Sequence, residues 1–357
     1  MARKQARRQK SGSEEGQAQP GAAQPAGGDA SAAGSASSPW AWWYAVFTTV
    51  LLFAVRSALP RAPPEGRVEV ADLPNLTEPY SVGAAQREEF QEHGWVRIPG
   101  LLSVAEAAAW RPYVEDALHH RWSEKRSEVD KTFWRVDNSW LKDSVVARLV
   151  LAPRIGKVAG DLLGCPVTRL YKDSIFFKNT SHQESPWHQD HIATPIEADG
   201  RVVNCWVALN RVDANMAPLL FASGSQVERL PLHRSEVVEQ YREALQKHSD
   251  WRTAGDMAPG DATCHQSWTL HAAAENRGRG LRMAISMMYL CNGTAAADYQ
   301  SLSQRSMDDL GAWKRWYETG GFRFGEPILT PLCPQAYPPS DEWLSADSLP
   351  KIHRWDI

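Results

Sequence analysis

The second half of this sequence consists of short β-rich runs, and this pattern constrains the fold more than any other feature. Residues of the turn-forming types Gly, Pro, Asn and Asp separate the runs. Many short strands with turn signals between them are typical of a β-sandwich or a jelly roll. The runs cover residues 167–178, 202–209, 218–222, 261–271 and 281–291.

Helical signals lie before and between these runs. The segment Ser103-Val-Ala-Glu106 has the capping-box pattern that marks the start of a helix. A second helix is predicted over residues 154–163, opened by Pro153 and closed by Gly164. Residues 227–255 form a predicted helical insertion between strands. We therefore expect a mainly β fold with flanking helices.

The N-terminal part contains a candidate membrane segment. Residues 40–55 have no charged side chain, and the apolar run extends to Leu59 if Arg56 reaches the interface. Twenty helical residues span about 30 Å, the thickness of a bilayer core. Aromatic residues cluster at the start of the run, as in an interfacial belt. We predict a single transmembrane helix at 39–59, with membrane contact through residues 40–59. A cleaved signal peptide and a buried core helix remain alternatives.

The orientation of this segment follows from charges and sequons. Basic residues near the N-terminus favour a cytoplasmic N-terminus, whereas three arginines just after the run argue the opposite way. Asn-X-Ser/Thr sequons at Asn75, Asn179 and Asn292 suit a lumenal domain. We predict that the folded domain lies in the lumen of the secretory pathway.

Composition divides the chain into five segments. The first of them is rich in Ala, Gly, Ser, Gln and Pro, has no large apolar side chain and is predicted to be disordered. The last is rich in proline. The predicted segments are the disordered leader 1–38, the anchor 39–59, a linker 60–80, a catalytic domain 81–330 and a C-terminal tail 331–357.

Charge and cysteine content exclude other classes of protein. The net charge is −3 and no basic block lies in the folded part, which argues against nucleic-acid binding. The five cysteines are widely spaced and form no CxxC pair. This spacing excludes a zinc ribbon and predicts no disulfide framework. No protein partner can be read from the sequence.

The first cluster that indicates chemistry is His188-Gln-Asp190. On a strand, residues two apart point to the same face, so the imidazole and the carboxylate would be presented side by side. They would supply two of the three ligands of a non-haem Fe(II) site, which needs two histidines and one carboxylate. His265 and His271 are both candidates for the third ligand.

Arg282 begins a run that is apolar on both faces, Leu281 to Leu290. A buried guanidinium is costly unless an anion meets it. One explanation is a structural ion pair with a protein carboxylate. The other is that Arg282 binds the distal carboxylate of 2-oxoglutarate, for which its planar fork is suited.

Together these residues resemble the phytanoyl-CoA dioxygenase family of Fe(II)/2-oxoglutarate oxygenases. The resemblance covers about residues 86–330 and rests on the order and spacing of several motifs, none decisive alone. It implies a double-stranded β-helix, a cupin-like jelly-roll barrel. The motifs are Trp187-His-Gln-Asp190, Trp206-Val-Ala-Leu, Pro259-Gly-Asp261, His271 and Arg282.

The resemblance also implies roles for individual residues. His188, Asp190 and His271 match the iron ligands, which selects His271 over His265. Arg282 matches the cosubstrate clamp and Trp206 an aromatic residue of the cosubstrate pocket. Arg135 stands where some members have a lysine that faces the cosubstrate. We expect His265 to be an ordinary polar residue.

The implied activity is that of a membrane-anchored dioxygenase that uses Fe(II), 2-oxoglutarate and O2. It would hydroxylate a C–H bond of a small-molecule or lipid-like substrate and release succinate and CO2. One departure is Ala273, where family members often have a serine that binds the cosubstrate; the lost hydrogen bond is worth roughly 1 kcal/mol. The alternatives are an inactive membrane-tethered binding module and a metal hydrolase with the same ligands.

Overall fold

The computed structural model describes a set of ranges that together form most of the predicted domain 81–330 and parts of the segments on either side of it. The predicted disordered leader 1–38 and the predicted anchor 39–59 lie outside them. Among the described residues, no helix combines the length and the apolar character needed to cross a membrane. The ranges are residues 67–122, 133–180, 182–197, 199–230, 234–298 and 311–340.

Two antiparallel sheets face each other across the site described below. Within the described residues, the larger sheet has seven strands in the order β1-β8-β5-β10-β3-β11, with β2 also paired to β3. The smaller sheet has the order β4-β9-β6-β7. The strands are β1 Trp95–Ile98, β2 Trp134–Asp137, β3 Thr168–Lys178, β4 Ser185–His188, β5 Val202–Ala208, β6 Leu219–Ala222, β7 Trp251–Thr253, β8 Ala262–Gln266, β9 His271–Ala273, β10 Arg282–Cys291 and β11 Gln335–Tyr337.

Helices cover the outer face of the larger sheet, and one helix, Arg234–Lys247, packs against Ala222 of the smaller sheet. The α-helices are α1 Ala84–His93, α2 Val104–Trp122, α3 Ser144–Val150, α4 Pro153–Leu163, α5 Arg234–Lys247 and α6 Gly311–Gly320, and short 3-10 turns occur at Val70–Asp72, Ser139–Leu141, Asp190–Ala193 and Ser225–Val227. This arrangement is the jelly-roll fold with flanking helices that the sequence predicts.

Local signals place the helix ends where the sequence predicts them. The backbone N–H of Ser103 donates to Glu106 Oε2 at 2.7 Å, and the N–H of Glu106 donates to Ser103 Oγ at 3.1 Å. This reciprocal pair is the predicted capping box. Helix α4 begins with proline and ends at Gly164, which has φ 67° and ψ 38°. A side chain is rarely tolerated in this left-handed conformation, so glycine ends the helix there.

The core lies between α4, its neighbouring helices and the two longest strands, β3 and β10. Every residue of β10 is buried, which explains why its sequence is apolar on both faces. Ile155, Val158 and Leu162 of α4 pack into the same apolar cluster as Met287 of β10. The outer face of the sheet therefore supplies stability, and its inner face is left for the site.

Three sequence-based expectations about secondary structure were wrong. The run 261–271 is two strands in different sheets, β8 and β9, separated by a turn. Residues 227–255 contain α5 but end in strand β7. Asp190 is not on a strand with His188, because β4 ends at His188 and Asp190 begins a 3-10 turn.

The cysteine interpretation was also wrong. Cys165 is bonded to Cys291 and Cys205 to Cys264, with sequence separations of 126 and 59 residues. Cys205 and Cys264 are direct neighbours on β5 and β8. Spacing along the chain does not reveal pairs that sheet formation brings together. Cys333 is free and buried.

Segments predicted as linker and tail contribute to the domain. Leu73 and Leu76, in the predicted linker 60–80, are buried in the main core. Strand β11, in the predicted tail 331–357, pairs with β3. Both segments lack long apolar runs, which is why the sequence did not indicate their contribution.

Candidate iron and 2-oxoglutarate site

Strand pairing brings the two candidate histidine ligands together. His188 at the end of β4 lies directly opposite His271 at the start of β9. Their ring centroids are 4.1 Å apart. Asp190 follows in the 3-10 turn, so its carboxylate turns back toward both rings.

These three side chains form a group that could hold a metal ion. His188 Nε2 and His271 Nε2 each lie 3.8 Å from Asp190 Oδ1. The three ligand atoms all lie within 4.8 Å of one another. Metal–ligand bonds of about 2 Å are normal for such ligands, so one ion can contact all three atoms. Two histidines and one carboxylate are the ligand set of non-haem Fe(II).

Backbone carbonyls orient both histidine rings for this purpose. His188 Nδ1 lies 2.8 Å from Pro186 O, and His271 Nδ1 lies 3.0 Å from Thr269 O. A carbonyl can only accept, so each Nδ1 carries the proton and donates. The Nε2 atoms are therefore unprotonated and free to bind a metal, as in most histidine ligands.

Two buried side chains orient the carboxylate of Asp190. Asn204 Nδ2 donates to Asp190 Oδ2 at 2.7 Å, and His265 Nε2 lies 3.1 Å from the same oxygen. Ser286 Oγ in turn donates to Asn204 Oδ1. Oδ2 is thereby occupied, and Oδ1 is left facing the histidines. His265 is thus more than an ordinary polar residue, although it lies outside the three-residue group.

The pKa values in the site favour metal binding. Burial, together with the charge repulsion that protonation would create with the neighbouring His271 ring, lowers the pKa of His188 to about 4. Burial and His265 lower the pKa of His271 to about 4. The surrounding imidazoles and the hydrogen bond from His265 hold the pKa of Asp190 well below its usual range, against the opposing effect of burial. At neutral pH the site therefore presents two neutral imidazoles and one carboxylate.

Arg282 is a buried cation in the same cavity. Its side chain is 2% exposed, and burial lowers its pKa to about 10. One guanidinium nitrogen donates to the backbone carbonyl of Ala217, but its Nε has no hydrogen-bond partner. Its guanidinium carbon lies 5.2 Å from the centre of the Trp206 ring. No Asp or Glu of the described residues forms an ion pair with it, so the structural ion-pair explanation has no support there.

A second buried cation lies next to Arg282. Lys178 on β3 is directly opposite Arg282 on β10, is fully buried and has a pKa lowered to about 7 by burial and by the arginine. Its Nζ lies 3.4 Å from Ser185 Oγ. Ser185 faces Ala273 across the β4–β9 pair and lines the cavity. A serine hydroxyl is therefore present beside the position where Ala273 lacks one.

Sequence reasoning missed Asn204, Ser185 and Lys178. No apolar pattern marks Lys178 as buried, because the residues that share its face of β3 include Ser174 and Lys172 as well as Phe176. Nothing local marks Asn204 or Ser185, because each contacts the site only through strand pairing.

The fold and this site together define a class: a jelly-roll oxygenase with a two-histidine, one-carboxylate site and a basic pocket for a carboxylate cosubstrate. A family model described as phytanoyl-CoA dioxygenase (PhyH) matches residues 90–284. The chain belongs to this family of Fe(II)/2-oxoglutarate-dependent oxygenases. Iron and 2-oxoglutarate are the cofactor and cosubstrate of this enzyme class.

Known relatives are similar over most of their length. Methylphosphonate hydroxylase of Gimesia maris is 24% identical over 257 residues, which is 68% of this chain and 96% of that protein. The carbocyclase SnoK of nogalamycin biosynthesis, described as non-haem and α-ketoglutarate-dependent, superposes with a TM-score of 0.59 at 21% identity, covering 76% of this chain and 99% of its own. The epimerase SnoN of the same biosynthesis gives a TM-score of 0.57 at 23% identity, covering 71% and 97%. Likeness at this level of identity shows the shared fold.

Proposed function

We propose that this enzyme hydroxylates a C–H bond of a small-molecule or lipid-like substrate. His188, Asp190 and His271 would hold Fe(II), and the reaction would consume O2 and 2-oxoglutarate and yield the hydroxylated product, succinate and CO2. The observation that carries the proposal is the three-atom metal group beside a buried guanidinium that pairs with no Asp or Glu of the described residues. A metal hydrolase would give that guanidinium no role.

Bound iron would supply oxygen activation coupled to decarboxylation of 2-oxoglutarate, and the protein would position the reactants. Arg282 would bind the distal carboxylate of 2-oxoglutarate through its planar fork. Trp206 would form one wall of the cosubstrate pocket. Ser185, supported by Lys178, would offer the hydroxyl that Ala273 lacks.

Asn204 and His265 would position the metal carboxylate. Because both contact Oδ2 of Asp190, that carboxylate would bind the ion through Oδ1 alone. Single-oxygen binding leaves more metal positions for the cosubstrate and oxygen. Such outer hydrogen bonds commonly affect metal affinity by 10- to 100-fold.

A small substrate is supported by the relative from Gimesia maris, whose name is methylphosphonate hydroxylase. The predicted anchor at 39–59 would instead place the enzyme near lipids, and this anchor remains a proposal. Comparing the products that the enzyme forms from lipid extracts with those it forms from water-soluble metabolites would distinguish a lipid substrate from a small soluble one. A lipid product would favour the anchored interpretation, and its absence would count against a lipid substrate.

We also propose that the domain lies in the lumen of the secretory pathway. Its two disulfides support this location, since stable disulfides belong to oxidising compartments. Asn75 and Asn292 are exposed sequon residues. Glycosidase treatment of the protein from its native cell, followed by non-reducing electrophoresis, tests the proposal. An unglycosylated, fully reduced protein would refute it.

The test of the catalytic proposal needs no substrate. The full chain is loaded with Fe(II) without oxygen, 2-oxoglutarate is added, and the visible spectrum is recorded. We expect a metal-to-ligand charge-transfer band that is lost in His188→Ala and appears only at much higher cosubstrate concentration in Arg282→Met. A folded, iron-loaded protein without this band would refute the proposal.

A further inference from the structure

Two more cations line the cavity beyond those assigned to the cosubstrate. Lys172 on β3 and Arg135 on β2 both contribute to its wall. They share the cavity-facing side of the sheet with Ser174, which lies on β3 between Lys172 and Phe176, the residue opposite Arg135. The inference below rests on the proposed function, because it concerns what binds next to the iron and 2-oxoglutarate.

Strand register places Lys172 at the opposite end of the cavity from Arg282. Lys178, the residue opposite Arg282, is six residues from Lys172 along β3, which corresponds to roughly 20 Å at the rise of a β-strand. The distal carboxylate of 2-oxoglutarate would be held at the Arg282 end. Lys172 is therefore unsuited to bind that carboxylate.

The same register places Lys172 level with the metal ligands. Asn204, Met288 and Lys172 form one row across β5, β10 and β3. Adjacent strands lie about 4.8 Å apart, so the backbones of Asn204 and Lys172 are separated by roughly 10 Å. Because Asn204 donates to Asp190, a group bound by Lys172 would lie at the same end of the cavity as the metal ligands.

The cavity has more positive charge than iron-bound 2-oxoglutarate would neutralise. Arg135 is paired with Asp137 at 3.1 Å. Lys172 is half-buried and forms no ion pair or hydrogen bond with any described residue. Asp190 is the only acidic residue among the described cavity-lining side chains. The two negative charges of 2-oxoglutarate would be met by iron and by Arg282, which leaves the positive charge of Lys172 unmatched.

We propose that the substrate carries an oxyanion (a carboxylate, phosphate or phosphonate) that Lys172 binds. Arg135 lies opposite Phe176, four residues from Lys172 along β3, and is therefore closer to the Arg282 end of the cavity. The phenyl rings of Phe133 and Phe176 pack against each other, with centroids 5.3 Å apart, and provide an apolar wall beside these cations. The hydroxylated carbon lies between this oxyanion and the iron. The enzyme therefore acts on short acidic molecules or on lipids attacked close to an acidic headgroup.

The competing explanation is that Lys172 is a solvated surface lysine at the cavity edge. The two explanations differ in what Lys172→Met does to ligands of different charge. If Lys172 is only solvated, Lys172→Met would leave the binding of both anionic and neutral ligands unchanged. If Lys172 binds the substrate, Lys172→Met would weaken the binding of anionic ligands alone, and this effect would decrease with added salt.

The experiment uses the full chain loaded with Fe(II) and saturating 2-oxoglutarate without oxygen, and follows changes in the charge-transfer band. The probes are methylphosphonate, ethyl phosphate and propionate, with the neutral dimethyl methylphosphonate and propionamide as matched controls. The three anions distinguish phosphonate, phosphate ester and carboxylate as the preferred group. We expect at least one anion to bind at least tenfold more tightly than its neutral counterpart. Lys172→Met should remove this preference, and the exposed Lys142→Met should keep it.

The outcomes separate this inference from the proposed function. Absence of the band in the wild-type protein would refute the proposed function itself. A normal band together with equal binding of anions and neutral counterparts would overturn only the inference. The same holds if Lys172→Met retains the preference, or if no anion in the panel perturbs the band.

Discussion

Replacing Arg282 by methionine distinguishes a ligand-binding arginine from a structural one. Burial lowers the pKa of Arg282 from 12.5 to about 10, which corresponds to roughly 3 kcal/mol at 1.36 kcal/mol for each pKa unit. Because burial disfavours the charged form, this amount opposes folding at every pH below about 10. Methionine removes that cost.

The substitution also removes favourable contacts of Arg282. The hydrogen bond to the Ala217 carbonyl is worth about 1.5–3 kcal/mol, and the contact with the Trp206 ring about 0.5–2 kcal/mol. The gains and losses nearly cancel, so we expect the free energy of unfolding of the metal-free protein to change by only about 1 kcal/mol. A structural ion pair would give a different result, since breaking a buried pair costs 3–5 kcal/mol.

The effect on 2-oxoglutarate binding should be large. Removing one partner of a buried charge pair costs about 2–5 kcal/mol, a loss of about 30-fold or more in affinity. At a concentration 100 times its dissociation constant, 2-oxoglutarate stabilises the wild-type protein by about 2.7 kcal/mol. A 100-fold loss of affinity would reduce this stabilisation to roughly 0.4 kcal/mol.

Urea unfolding of the metal-loaded protein, with and without 2-oxoglutarate, measures both quantities. Arg154→Met is the matched control, because Arg154 pairs with Glu106 at 2.9 Å on the outer side of the domain. It should destabilise the protein and leave the 2-oxoglutarate effect intact. Our reasoning would be wrong if Arg282→Met destabilised the metal-free protein by 3 kcal/mol or more, or if its stabilisation by 2-oxoglutarate matched that of the wild type.

Three further predictions concern the groups around the metal and the cosubstrate. Asn204→Ala should weaken Co(II) or Fe(II) binding by 10- to 100-fold in a metal titration; unchanged affinity would contradict the positioning role. The pKa values of His191 and His271, which are both buried, are lowered to about 4 in the folded protein, so the unfolded chain binds more protons than the folded protein between about pH 4 and 6.5. Stability of the metal-free protein should therefore be full above pH 6.5 and fall as the pH drops toward 4, by up to about 1.4 kcal/mol per pH unit for each histidine; a flat profile in urea unfolding would refute this. The pKa of Lys178 is about 7 in the free protein and should rise when the 2-oxoglutarate carboxylate binds. The affinity for 2-oxoglutarate, measured by calorimetry, should therefore fall as the pH rises above 7. Lys178→Met should weaken this binding and remove its pH dependence.

The sequence by itself determined elements whose signals lie within a few residues. The capping box at Ser103 and Glu106 uses hydrogen bonds between residues three apart. Helix α4 is defined by its own Pro153 and Gly164. Strand β10 was readable because burial of every residue makes its run largely apolar. The candidate metal ligands and Arg282 were readable because few chemistries need those residue types in that order.

Only the tertiary structure decided which distant residues meet. Asp190 and His265 contact each other although they are 75 residues apart, and Cys165 and Cys291 are bonded across 126 residues. Such contacts depend on strand order and register, which are set by the packing of the whole domain rather than by local preferences. The buried Lys178, which a sequence shows only as one more lysine, acquires its lowered pKa from the strands that enclose it. The sequence therefore determined which chemical groups are present, and the fold decided their neighbours, because burial and pairing arise only when the sheets close on each other.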